Sequence, residues 1–177
     1  MLRYVSVICL LLVGCTSQVH LPYNNLSTQR VSNHIHLEIG SITDHRSQIL
    51  DLGFKRSVLR IPIFTFVTED SVPEWIRRSL AGELIQAGYF LANDSPYVIE
   101  AKVLKVITEN YITYEGVVAL EMTLKREDSI VFSRVYQITT KPGLNWNFST
   151  KKCLNTLEES LRVICSKFIT DLDFELL

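Results

Sequence analysis

Residues 97–139 read YVIEAKVLKVIT (97–108), ENYITYEG (109–116), VVALEMTLK (117–125), REDS (126–129) and IVFSRVYQIT (130–139). In the first segment Ile99, Ala101 and Val103 alternate with Glu100 and Lys102. In the third, Val118, Leu120, Met122 and Leu124 alternate with Glu121, Thr123 and Lys125. Successive side chains of a strand point to opposite faces, so this period of two describes strands with one face on a core and one in water. Short polar connections, one of them Arg126-Glu127-Asp128-Ser129, join the segments. Strands joined so closely must run antiparallel. The stretch predicts a three-stranded antiparallel meander with Glu100, Lys102 and Glu121 on its wet face.

Upstream, Ser71-Val72-Pro73-Glu74 predicts the start of a helix, with Ser and Glu three apart as in a capping box and Pro in the first turn. Ile76, Leu80, Leu84 and Ala87 recur at helical spacing, and Gly88 supplies the positive φ that commonly ends a helix. Earlier still, Ile35, Leu37 and Ile39 alternate with His34, His36 and Glu38 as a half-buried strand. Ser41 to Ser57 holds the polar stretch Asp44-His45-Arg46-Ser47 before Leu50, Leu52 and Gly53. Val58 to Val67 is β-branched and aromatic, but Pro62 demotes it to an edge strand or two short ones. Downstream, Pro142-Gly143 breaks the chain and Leu144 to Phe148 forms an aromatic loop. Ser149 or Thr150 then caps a helix running to about Asp171, with Leu154, Leu157, Leu161, Ile164, Cys165, Phe168 and Leu172 as its apolar stripe. The predicted order β-β-α-β-β-β-α is an α+β domain: an antiparallel sheet of about five strands with two helices packed on one face.

The whole chain has 177 residues, 47% of them hydrophobic and 21% charged, which suits one domain with its own core. With 18 basic and 19 acidic residues it lacks the positive charge that non-specific nucleic-acid binding requires, and no nucleic-acid partner is expected. Met1-Leu2-Arg3 and an apolar run from Tyr4 to Val13, broken only by Ser6, describe a secretory signal peptide. At about ten residues the run is too short to cross a bilayer, which takes roughly 20. Leu12-Val13-Gly14-Cys15 is similar to the lipobox of bacterial lipoproteins. That resemblance implies cleavage before Cys15, a diacylglycerol on its thiol and an N-acyl chain such as palmitate on the new α-amine. Thr16 in place of Asp after the cysteine implies sorting to the outer membrane, on its periplasmic face. Residues 1–14 are thus expected to be a lipoprotein signal peptide and 15–32 a lipidated Cys with a polar tether reaching roughly 20–25 Å. Residues 33–177 remain as a single periplasmic α+β domain. Taking Arg3 away with the signal leaves 17 basic against 19 acidic residues, so the lipid would hold the membrane without help from net charge.

Four cysteines do not make a disulfide framework. Cys9 lies in the signal and Cys15 is the lipid acceptor, leaving Cys153 and Cys165. On one continuous helix these stand about 18 Å apart, far beyond the roughly 7 Å that a disulfide spans; a bridge requires the helix to begin after Cys153. No Cys/His spacing matches a zinc site. His34 and His36 share a strand face, a geometry more often solvent-exposed than metal-binding, and no metal is expected. Asp44-His45 with the many serines invites a hydrolase reading, but no G-x-S-x-G elbow or phosphate loop is present. The candidate partner contacts are aromatic: Tyr111 and Tyr114 in the first meander hairpin, with Trp146 and Phe148 before the last helix. Aromatic side chains in loops are enriched at interfaces, although Trp146 and Phe148 can equally close the core under the helix.

The lipobox, Asp44-His45-Arg46, Pro73-Glu74-Trp75 opening a helix that ends Ala87-Gly88-Tyr89, Tyr114-Glu115-Gly116 and the closing Asp171-Leu172 together resemble YajG-like bacterial lipoproteins. Those in turn resemble auxiliary lipoproteins of ABC-type envelope transporters. The resemblance implies a helix-on-sheet domain without enzymatic activity or cofactor beyond the lipid on Cys15. The expected function is a non-catalytic binding or assembly subunit of an envelope complex, with an exposed sheet edge available to a partner strand. A lipid-binding transport auxiliary and a hydrolase are the alternatives. An unfilled apolar groove between helices and sheet would favour the first. A cleft joining His45 to a carboxylate and a Ser would favour the second.

Overall fold

The computed structural model describes residues 15–21, 35–47, 51–57, 59, 61–110, 113–127, 129–141 and 149–176. Among the described residues eight strands and two helices follow in the order β1 (Cys15–Gln18), β2 (His36–Asp44), β3 (Asp51–Arg56), β4 (Pro62–Val67), α1 (Val72–Gln86), β5 (Phe90–Leu91), β6 (Tyr97–Asn110), β7 (Tyr114–Arg126), β8 (Ser129–Thr140) and α2 (Thr150–Leu176). The meander stands as expected: β6 pairs antiparallel with β7 and β7 with β8. Ile99, Ala101, Val103, Val118, Leu120, Met122 and Leu124 are all buried. On the opposite face Lys102 reaches Glu121 at 3.0 Å and Lys125 reaches Glu100 at 2.7 Å, both pairs partly exposed. These are the cross-strand charge pairs expected of a wet sheet face.

The rest of the sheet corrects the expectation of about five antiparallel strands. The sheet is mixed. β2 and β3 share the remaining edge of β6 and both run parallel to it, β2 along Val98–Val103 and β3 along Thr108–Asn110. Parallel neighbours need a crossover, and α1 supplies it by returning the chain across the helical face before β6 begins. β3 and β4 form an antiparallel hairpin, and Pro62 opens β4, a place where its missing N–H is tolerated. Gly53 has φ of +138° and touches β6 so closely that a Cβ would lie 1.7 Å from the Thr108 carbonyl oxygen. No other residue fits there.

Residues 15–21 depart from the tether reading. Cys15–Gln18 pairs parallel with Phe64–Val67, and the Val19 N–H donates to the Val67 carbonyl at 2.9 Å. Val19 and Leu21 are buried in the core, and the Leu21 N–H donates to Asp70 Oδ2 at 2.7 Å. Apolar side chains and a carboxylate acceptor hold this segment where composition alone suggested a solvated spacer. Positions 22–32 of the expected tether lie outside the described residues.

Both helices lie on one face of the sheet, as expected. α1 begins at Ser71, whose hydroxyl accepts from the Glu74 N–H at 3.3 Å, and ends before Gly88 at φ of +94°. Arg77 donates from Nη1 to the Ile39 carbonyl at 2.6 Å and from Nη2 to that of Gly40 at 2.5 Å, satisfying β2 where its register with β6 shifts. α2 continues past Asp171 to Leu176. Its Asp171 accepts from the Tyr136 hydroxyl at 2.5 Å and pairs with Arg134 at 2.7 Å, while Asp173 accepts from the Tyr89 hydroxyl. Those bonds tie the last turns of α2 to β8 and to the segment after α1, and they account for the extra length. Trp75, Leu80, Leu84, Leu157, Leu161 and Phe168 fill the space between helices and sheet.

Candidate functional site

Cys15 is the first residue of β1 and stands opposite Phe64 of β4. Phe64 is opposite Lys55 of β3, Lys55 opposite Asn110 of β6, and Asn110 opposite Tyr114 of β7. One row therefore crosses five strands from the expected lipidation residue to the first meander hairpin, about 19 Å at the ordinary strand spacing. Beyond this row lies the tip of the β3–β4 hairpin, where Leu59 is 80% exposed, Ile61 53% and Ile63 45%. The period of two explains Ile63: in β4 Phe64 and Phe66 alternate with it, and Phe66 is buried, so Ile63 faces outward. Composition marks 58–67 as apolar β structure but does not tell which of its positions lack a covering layer. The signal was present in the alternation of Leu59, Ile61 and Ile63.

Tyr114 is not available to a partner. It is fully buried, since it opens β7 on the same face as Gly116 and Val118, and its hydroxyl accepts from the Ser149 N–H at 2.6 Å. Burial raises its pKa, against the opposing effect of that N–H. Its role is to lock the start of α2 onto the meander. Tyr111, Trp146 and Phe148 lie outside the described residues.

Asp44 and Arg46 of the early polar stretch serve the fold. Arg46 and Asp44 form a nearly buried pair, Nη2 to Oδ2 at 2.7 Å and Nε to Oδ1 at 2.9 Å, where β2 ends opposite Val103, beside the shift in register of β6 against β7. Burial alone would raise the Asp44 pKa, but the hydrogen bonds and charge of Arg46 outweigh it and hold the carboxyl below its usual value. His45 Nε2 lies 3.1 Å from Thr43 Oγ1, so the carboxylate beside it in sequence is committed to Arg46 rather than to an imidazole. His36 stacks on Phe90 with ring centroids 5.4 Å apart, and His34 lies outside the described residues. Among the described residues no group of three His, Cys, Asp or Glu is placed to hold a metal ion.

Cys153 and Cys165 are free and buried on α2. Burial pushes the Cys153 thiol up to about 11 and raises that of Cys165 further, so neither is a ready thiolate nucleophile. A cleft of about 180 Å³ opens where β2 gives way to β3, lined by Arg46, Gly53, Phe54, Leu104 and Val106 among others. It is smaller than the roughly 300–1,000 Å³ of small-molecule sites. Two surfaces also stand out among the described residues: the hairpin tip beside Cys15, and the outer edge of β8. β8 is hydrogen-bonded to β7 along one side, and among the described residues no strand pairs with its other side. Ile130, Val131 and Val135 are exposed on it at 64%, 38% and 61%.

No family model matches the chain, and no curated protein sequence matches it significantly. Solved structures do. An uncharacterized protein superposes with a TM-score of 0.60 at 11% identity, covering 90% of this chain and 99% of the other. Protein XCC0632 from Xanthomonas campestris, a DUF330 protein, superposes with a TM-score of 0.55 at 11% identity, covering 88% and 93%. A minor lipoprotein from Acinetobacter baumannii is more distant, with a TM-score of 0.45 at 8% identity, covering 75% of this chain and 91% of the other. Identities this low establish a shared fold for the first two structures and nothing finer.

Proposed function

We propose that this chain is a bacterial envelope lipoprotein of the YajG-like kind, anchored through Cys15 to the periplasmic face of the outer membrane, and that it acts there as a non-catalytic assembly subunit. The observation that carries the assembly role is the outer edge of β8, a strand of 12 residues paired on one side only among the described residues. An open edge presents a row of backbone donors and acceptors, and partner proteins add strands to such edges. The exposed Ile130, Val131 and Val135 offer apolar positions that would lend the added strand side-chain specificity. The anchor is supported by the lipobox, Leu12-Val13-Gly14-Cys15. Among the described residues no helix is long and apolar enough to cross a membrane.

A photo-crosslinking residue at Gln137 of β8, compared with one at Lys167 on the exposed side of α2, tests the reading in cells. A discrete adduct to one envelope protein from Gln137 alone, lost in Cys15→Ser, is the expected result. Equal or absent labelling from both positions would remove the assembly role.

A further inference from the structure

The hairpin tip beside Cys15 carries more than exposed apolar area. Leu59, Ile61 and Ile63 project from the end of the sheet at which β1 begins. From Leu52 to Thr68 the sequence holds three basic residues, Lys55, Arg56 and Arg60, and no acidic one, in a chain that is otherwise slightly acidic. Arg56 lies over the Phe54 ring at 4.3 Å and 3.4 Å from Glu109 of β6, the carboxylate that faces it. Apolar side chains at a tip, with Lys55 and Arg56 on the strand behind it, suit the boundary between acyl chains and anionic headgroups.

Position decides the occupant. Cys15 is itself part of the sheet, and the buried Val19 and Leu21 fasten the residues that follow it. A lipid attached at Cys15 therefore has no spacer on the domain side. It enters the bilayer within about 10 Å of Ile63, since adjacent strands lie about 4.8 Å apart and Cys15 is level with Phe64. We infer that the β3–β4 hairpin is a second, non-covalent membrane contact: Leu59, Ile61 and Ile63 insert into an anionic phospholipid leaflet and fix the domain's orientation on it. This rests on the anchor reading for its geometry, but not on the assembly role. It places β8, three strands away across β6 and β7, clear of the contact and free for a partner.

The test uses the mature lipid-modified protein in vesicles of phosphatidylethanolamine and phosphatidylglycerol. A polarity-sensitive fluorophore is attached at Ile61→Cys or, as control, at Val135→Cys; the native Cys153 and Cys165 are buried. The lipid on Cys15 is verified by peptide mass. The expected result is a blue-shifted emission from position 61, quenched by nitroxide-labelled lipids, with position 135 quenched only by aqueous iodide. Adding Leu59→Asp and Ile63→Asp should abolish the lipid quenching while the protein stays on the vesicles. Iodide quenching at both positions in protein bearing the Cys15 lipid would overturn the insertion and leave the anchor standing. An unmodified Cys15 with no lipid quenching would overturn both. Shielding of position 61 from iodide without lipid quenching would assign the hairpin to a protein contact, such as a second copy, and equally overturn the proposal.

Discussion

At the scale of single residues, Asp44 and Arg46 show how a pair that resembles a site becomes a joint. Neither side chain is more than 13% exposed, and the guanidinium meets both carboxylate oxygens. Removing one member strands the other in a poorly hydrated place, which for buried pairs costs about 3 kcal/mol. Asp44→Asn should therefore lower the urea midpoint at pH 7 without changing its slope. The pH dependence follows from the depressed pKa: the folded state favours the ionised carboxyl, so this stability is complete above the unfolded value of 3.8 and is lost as pH falls through the lower folded value. Wild type and Asp44→Asn should converge in stability once pH has fallen through that lower folded value, as urea melts across the acid range would show. Convergence at neutral pH would mean the pair contributes nothing. Tyr114 is a second case: an aromatic residue near a hairpin turn invites an interface reading, but register, rather than residue type, decided that it faces α2.

Between elements, the contact of α2 with β7 is set by small side chains. A Cβ at Gly116 would lie 2.4 Å from Thr156 Oγ1 and 2.7 Å from the Thr156 carbonyl carbon. Ser160 Oγ lies 3.1 Å from the Gly116 carbonyl oxygen and 2.8 Å from Thr140 Oγ1, so a hydroxyl closes the gap that a larger residue would prop open. Gly116→Ala must displace α2 and should cost about 1–3 kcal/mol by overpacking. Thermal unfolding would measure that loss, and pairing the change with Thr156→Ala should recover part of it if the clash is the cause. Gly116 was visible in the sequence only as one residue of a short motif. Its reason lies 40 positions downstream on α2.

Across the whole molecule, the docking of residues 15–21 makes Cys15 part of the domain's sheet rather than the start of a spacer. A free tether would leave the stability of the domain indifferent to Leu21. Burial of Leu21 at 2% exposure predicts instead that Leu21→Ala costs about 2–5 kcal/mol, readable in a denaturant melt. An unchanged melt would return the segment to the role of spacer. With β1 docked, Cys15, the hairpin tip and the Asn110–Tyr114 row share one end of the molecule, while the β8 edge that is unpaired among the described residues is the far side of the sheet.

The sequence alone determined the meander, the position and faces of both helices, and a cysteine in a lipobox setting. Each of those is a local signal: a period of two or 3.6, a cap, a four-residue motif. Tertiary structure decided the parallel pairing of β2 and β3 along one edge of β6, the docking of β1 and the burial of Tyr114. Periodicity reports that one face of a strand is covered, but backbone pairing is identical for every sequence and carries no address. Which strand lies next to which depends on the crossover through α1 and on whether a segment as short as Cys15–Gln18 finds apolar company. A strand of four residues is too short to display a period, so only the core that receives Val19 and Leu21 could reveal it.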